Sequence, residues 1–130
     1  MKTILLTLLL STLSLSAFSS NDECLVVVDE QFCAEINWTE GPYVDAYSSN
    51  VVTLKDLRTN ELVDLGASIS FKTWMIMDMH QHGGSDVDTA QVSVGSYENT
   101  GVYYFSGMDG IWQFRLVYRG QEYVLSETTI

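Results

Sequence analysis

The sequence predicts an all-β protein, an antiparallel immunoglobulin-like β-sandwich of about seven to nine short strands. Two observations carry this. No long 3.6-residue apolar periodicity occurs, whereas alternation at period two recurs along the chain. The alternating runs are rich in β-branched and aromatic residues and are separated by turn residues. In "IWQFRLVYR", Trp112, Phe114, Leu116 and Tyr118 share one parity, with Gln113, Arg115 and Arg119 on the other. That is a strand with one buried face.

The chain opens "MKTILLTLLLSTLSLSAFSS". A single Lys, a short apolar run and a small-x-small ending fit a secretory signal, residues 1–19, cleaved after Ser19. The apolar run Ile4 to Leu10 is too short to span a bilayer. The expected mature domain is 20–130, a length suited to one core. The sequence thus predicts a periplasmic or secreted protein with no membrane span once the signal is removed.

The first two strands are "CLVVVD" and "FCAEINW". Cys24 and Cys33 are the only cysteines, separated by eight residues. In an oxidising compartment a disulfide is the default, stabilising by roughly 2–3 kcal/mol in the chain-entropy model. The rival reading is a thiolate pair on a metal. A turn follows at Gly41-Pro42, and another is expected at Ser48 to Asn50. "VVTLKDLRTNELVDL" reads as two strands joined at Thr59-Asn60. "SFKTWMIM", "TAQVSV", "GVYYFSG" and "IWQFRLVYR" supply the rest, with turns at Gly83-Gly84 and Asn99 to Gly101. Trp38, Trp74 and Trp112 are expected in the core. The antibody arrangement of two widely spaced cysteines flanking a Trp is absent.

Charge narrows the partners. Without Lys2, five Lys and Arg face 17 Asp and Glu, a net charge of −12. Such a surface repels nucleic acid and anionic membranes, and attracts cations. Catalysis finds little support. Only two histidines exist to serve any triad, and no pair among the acids is singled out. "NWT" at Asn37 matches a glycosylation sequon in strand context. The acidic stretches near Asp29, Asp56 and Asp64 lack calcium-loop spacing.

The chemistry concentrates in "MDMHQHGG", Met77 to Gly84, which holds both histidines. Thioether sulfur is neutral and soft and favours Cu(I); imidazole binds both copper oxidation states. Along the preceding strand Trp74 and Ile76 point one way and Met75, Met77 and Met79 the other. Met75 is expected in the core. The strand should end near Asp78, after which "HQHGG" is expected to curl on its paired glycines and turn His80 and His82 toward Met77 or Met79. The competing reading makes the methionines core filler. Met108, in "FSGMDGIW", sits between Gly107 and Gly110 in a turn. It either projects over a neighbouring loop or caps the end of the sandwich.

These segments resemble a family of small exported β-sandwich proteins of the YtkA-like and FixH-like domain type. Its pattern is Met-Pro-x-Met-Gly-His-Gly followed, after an aromatic strand, by Met-x-Gly-x-Trp. Here "MDMHQHG" matches at Met77, His80, His82 and Gly83, and "MDGIW" at Met108, Gly110 and Trp112. The family's proline is replaced by Asp78 and its second methionine by His80. Several members handle copper. The resemblance therefore implies copper ligation by Met77, His80, His82 and Met108; Met79 has no counterpart in the pattern and is either an additional thioether candidate or packing. It implies a carrier or buffer without turnover, Cu(I) favoured and Cu(II) accessible, and a copper-accepting protein as partner. The alternative is an extracytoplasmic interaction or adhesion module that binds no metal.

Overall fold

The computed structural model describes residues 26–107 and 109–129. The expected signal sequence, Cys24 and Met108 lie outside the described residues. Nine strands are present: β1 (Val26–Val28), β2 (Phe32–Glu40), β3 (Tyr47–Asp56), β4 (Ile69–Ile76), β5 (Gln81–Gly83), β6 (Asp88–Ser93), β7 (Ser96–Tyr103), β8 (Ile111–Tyr118) and β9 (Gln121–Thr129). They form a five-stranded sheet, β1-β2-β3-β7-β6, and a four-stranded sheet, β5-β4-β8-β9. Every pairing between strands is antiparallel. The all-β sandwich expected from alternation is the fold observed. Among the described residues no helix is long and apolar enough to cross a membrane.

Alternation explains the core. Trp112, Phe114, Leu116 and Tyr118 of β8 are all buried, as their shared parity requires. Phe114 stacks on Phe71 of β4 at 5.8 Å and meets Trp38 of the opposite sheet edge-on at 5.7 Å. Phe71 reaches Tyr97 across the sandwich at 5.9 Å. Such aromatic pairs add stability beyond the area they bury.

Four expectations are corrected. Ser48 to Asn50 is not a turn but part of β3, and Asn99 to Gly101 lies inside β7. Their polar side chains face inward and are partly satisfied by one another, Asn50 Nδ2 having no partner among the described residues. Thr89 Oγ1 donates to Asn99 Oδ1 at 2.7 Å, and Asn99 Nδ2 donates to Asn50 Oδ1 at 2.9 Å. Ser48 Oγ accepts the Tyr43 amide at 2.7 Å. The reversal before β7 is instead Val94-Gly95, where Gly95 has φ +70°.

Residues 61–65 form no second strand, only an isolated bridge from Lys55 to Leu62. The Asp56 carboxylate accepts from the Arg58 and Thr59 amides, which folds this segment into a turn. Trp74 is not in the core; it is half-buried on the outer sheet face, with Lys72 and Arg115 against its ring at 4.5 and 5.1 Å. β5 and β9 extend the sheet beyond the runs that alternation marked.

Candidate metal centre

The Met/His segment forms a hairpin rather than a curl. β4 ends at Ile76, the chain reverses through Asp78-Met79, and β5 pairs back with Met75 opposite His82 and Ile76 opposite Gln81. The Met77 amide donates to the His80 carbonyl at 3.0 Å, which closes the turn and sets Met77 opposite His80. Residues paired directly opposite project to one side of a sheet, and successive residues alternate. Met75, Met77, His80 and His82 therefore share the inward face, while Trp74 and Gln81 share the outer one. The outer pair is tied by a Trp74 Nε1–H bond to Gln81 Oε1 at 2.9 Å.

The paired glycines serve a purpose other than curling. Neither Gly83 nor Gly84 has positive φ. A Cβ on Gly84 would lie 2.3 Å from Thr73 Oγ1 and 2.8 Å from the Trp112 ring, so the position demands close approach. Gly110 is constrained in the same way, since a Cβ there would lie 2.2 Å from the Ile76 carbonyl oxygen. The bare backbone at Gly110 lets the β7–β8 loop lie against the end of β4.

Beneath the hairpin is an aromatic floor. Trp112 pairs with Met75 in register, and both are fully buried. The His82 ring meets Trp112 edge-on at 6.1 Å, and Trp112 stacks on Tyr104 at 5.3 Å. Burial raises the Tyr104 hydroxyl well above the usual phenol range. That hydroxyl has no hydrogen-bond partner among the described residues.

The two imidazoles are stacked with ring centres 6.1 Å apart. Two rings that share an ion, each through one nitrogen at about 2 Å, have centres no more than roughly 6–7 Å apart. His82 Nδ1–H donates to the Gly83 carbonyl at 2.8 Å, which leaves Nε2 with the free lone pair. A carbonyl partner of this kind fixes both tautomer and ring orientation in metal-ligating histidines. Met77 is half-buried against the core, His80 is exposed and His82 is half-buried. Met79, the additional candidate, stands 91% exposed at the turn tip.

The late turn reaches the Met77 and His80 side of this group, and His82 does not line the cleft formed there. A cleft of ≈ 310 Å³ is lined by Met77, Asp78, Met79 and His80 from the hairpin and by Gly107 and Asp109 from the β7–β8 loop. Gly107 and Asp109 are the chain neighbours of Met108. The loop is held in position by four bonds, the first from the Asp45 amide to the Tyr104 carbonyl at 2.7 Å. Trp112 Nε1–H donates to the Phe105 carbonyl at 3.0 Å. The Ser106 amide donates to Asp45 Oδ1 at 2.9 Å, and the Ser106 hydroxyl donates to Asp45 Oδ2. These two Ser106 bonds hold the Asp45 carboxyl below its ordinary value of 3.8. A depressed carboxyl pKa means that this clasp contributes above the ordinary carboxylate range and is lost as pH falls through the folded-state value.

Met75 is not part of the cleft; it is fully buried core, as expected. Asp109 on the cleft wall was not foreseen, because its exposure to the hairpin depends on the loop path and on no local pattern. Among the described residues no three His, Cys, Asp or Glu side chains are grouped as metal ligands. The donor set at this end is two imidazoles with thioether sulfur and flanking carboxylates. No family model matches the chain, and neither a curated protein nor a solved structure matches it.

Proposed function

We propose that the mature chain is an exported copper-binding carrier or buffer whose ligands are Met77, His80, His82 and Met108. The single observation that supports this most is the convergence of Met77 and His80 with the two neighbours of Met108 on one cleft. Neutral sulfur and imidazole in that setting select copper over zinc, calcium or magnesium, with a bias to Cu(I). The carriage mechanism is ligand exchange at an open site. Thioethers hold the ion weakly, and an accepting protein with better ligands displaces them one at a time. No bond in the protein is made or broken, so the role needs no turnover.

The same reading includes export by the 1–19 signal and a Cys24–Cys33 disulfide in the oxidising compartment. No described cysteine is free, and Cys33 is buried. The resemblance to the YtkA-like and FixH-like type belongs to this proposal as well.

The test is a Cu(I) titration of the mature protein against a competing chelator, with His82→Ala and Met108→Leu alongside. Each variant is expected to lose affinity by at least about tenfold, or about 1.4 kcal/mol. Wild type and variants competing equally poorly would end the copper reading.

A further inference from the structure

A second property of the same end of the sandwich is independent of metal. Three loops meet there: residues 41–46, the hairpin turn 77–80 and the β7–β8 loop 104–110. The Asp45–Ser106 bonds join the first to the third, and the cleft joins the second to the third. Every described aromatic side chain with large exposure lies on this end: Tyr43 at 50%, Tyr47 at 69% and Phe105 at 43%. Tyr47 packs on Tyr103 at 5.2 Å, and Tyr103 on Phe105 at 4.7 Å, so the rings form one continuous strip. Phe105 leads on to Trp112 at 6.3 Å, under the hairpin. Val44 in the first loop and Met79 at the hairpin tip are exposed as well.

The charge on this end has one sign. Glu40, Asp45, Asp78 and Asp109 lie on or beside the three loops, and the loops contain no Lys or Arg. All four ion pairs among the described residues, Lys55–Glu35, Lys72–Glu122, Arg115–Glu122 and Arg119–Asp29, are elsewhere. An apolar strip rimmed by carboxylates alone is suited to a surface that presents Lys or Arg, whose cations stack on Tyr and Phe rings while pairing with the rim. A second copy of this chain would bring a like-charged rim, and an anionic membrane would be repelled.

We infer that the Tyr47–Tyr103–Phe105 strip with its acidic rim is a docking surface for a basic protein segment. The deciding experiment uses metal-free, isotope-labelled mature protein with chelator present, titrated with an oligolysine peptide and followed by amide chemical shifts. Shifts should concentrate in residues 43–47, 77–80 and 103–109, and affinity should fall about tenfold between roughly 20 and 200 mM salt. The double variant Tyr47→Ser, Phe105→Ser removes only exposed rings, and should lose at least about fivefold in affinity with an unchanged fold spectrum. Asp29→Asn with Glu30→Gln, at the opposite end, should change affinity less than about twofold. Shifts scattered over acids at both ends, a double variant that binds as wild type does, or self-association in place of peptide binding would each overturn the inference. Because copper is absent throughout, this result and the copper titration fail or succeed separately.

Discussion

At the end of the sandwich that carries the β1–β2, β6–β7 and β8–β9 reversals, those three connections are tight, only the β3–β4 segment 57–68 is long, and Arg119 pairs with Asp29. Arg119 and Gly120 form a two-residue turn with φ of +49° and +73°, the left-handed pair that matches strand twist, and Arg119 reaches Asp29 at 3.6 Å. At the opposite end, around loops 41–46, 77–80 and 104–110, the acids face no basic residue, and aromatic rings, the Met79 thioether and the His80 imidazole are exposed. The first end is built to close a sheet. Both ends expose apolar side chains, Leu57, Leu62 and Val94 at the first and Tyr43, Tyr47, Phe105 and Met79 at the second, but only the second adds imidazole and aromatic groups to them. One set of sheet ladders thus supports both ends, and the side chains of the proposed copper site belong to the end where β4 and β7 finish, at Ile76 and Tyr103.

Substitutions sharpen that contrast. The largest effect is expected at Trp112, which is fully buried and forms the floor of the reactive end. Trp112→Ala should destabilise by about 3–5 kcal/mol in chemical denaturation, with copper affinity falling alongside. A loss under 1 kcal/mol would mean the floor does not hold the hairpin. Tyr104→Phe should act in the opposite direction. Its hydroxyl is buried with no partner among the described residues, so deletion should stabilise by about 1 kcal/mol. A clear destabilisation would reveal a partner for that oxygen. Arg119→Gln at the closed end should change stability by no more than about 0.5 kcal/mol, since the Arg119 side chain is 69% exposed. A larger loss would show that the closed end depends on charge more than on turn geometry.

Legibility in the sequence followed burial. β8, β4 and β2 have one wet and one dry face, and their alternation marked them. Ser48, Asn50 and Asn99 misled because polar residues usually announce turns, whereas here they pair laterally inside two adjacent strands. β5 has only three residues, too few for a period to register. At the candidate centre, residue types and their clustering were readable, and so was the core placement of Met75. The hairpin register was not, because it depends on a two-residue reversal and on close backbone approach at Gly84 and Gly110. Those glycines look like flexibility in a sequence and act as clearance in the fold.

The proposed copper site requires a sulfur from the late loop and nitrogens from the hairpin to bind one ion. X-ray absorption of the Cu(I)-loaded mature protein addresses this directly, with Met108→Leu as the comparison. A first shell containing both nitrogen and sulfur, with the sulfur contribution reduced in the variant, is the predicted result. A shell of nitrogen and oxygen alone, or one that Met108→Leu leaves unaltered, would contradict it.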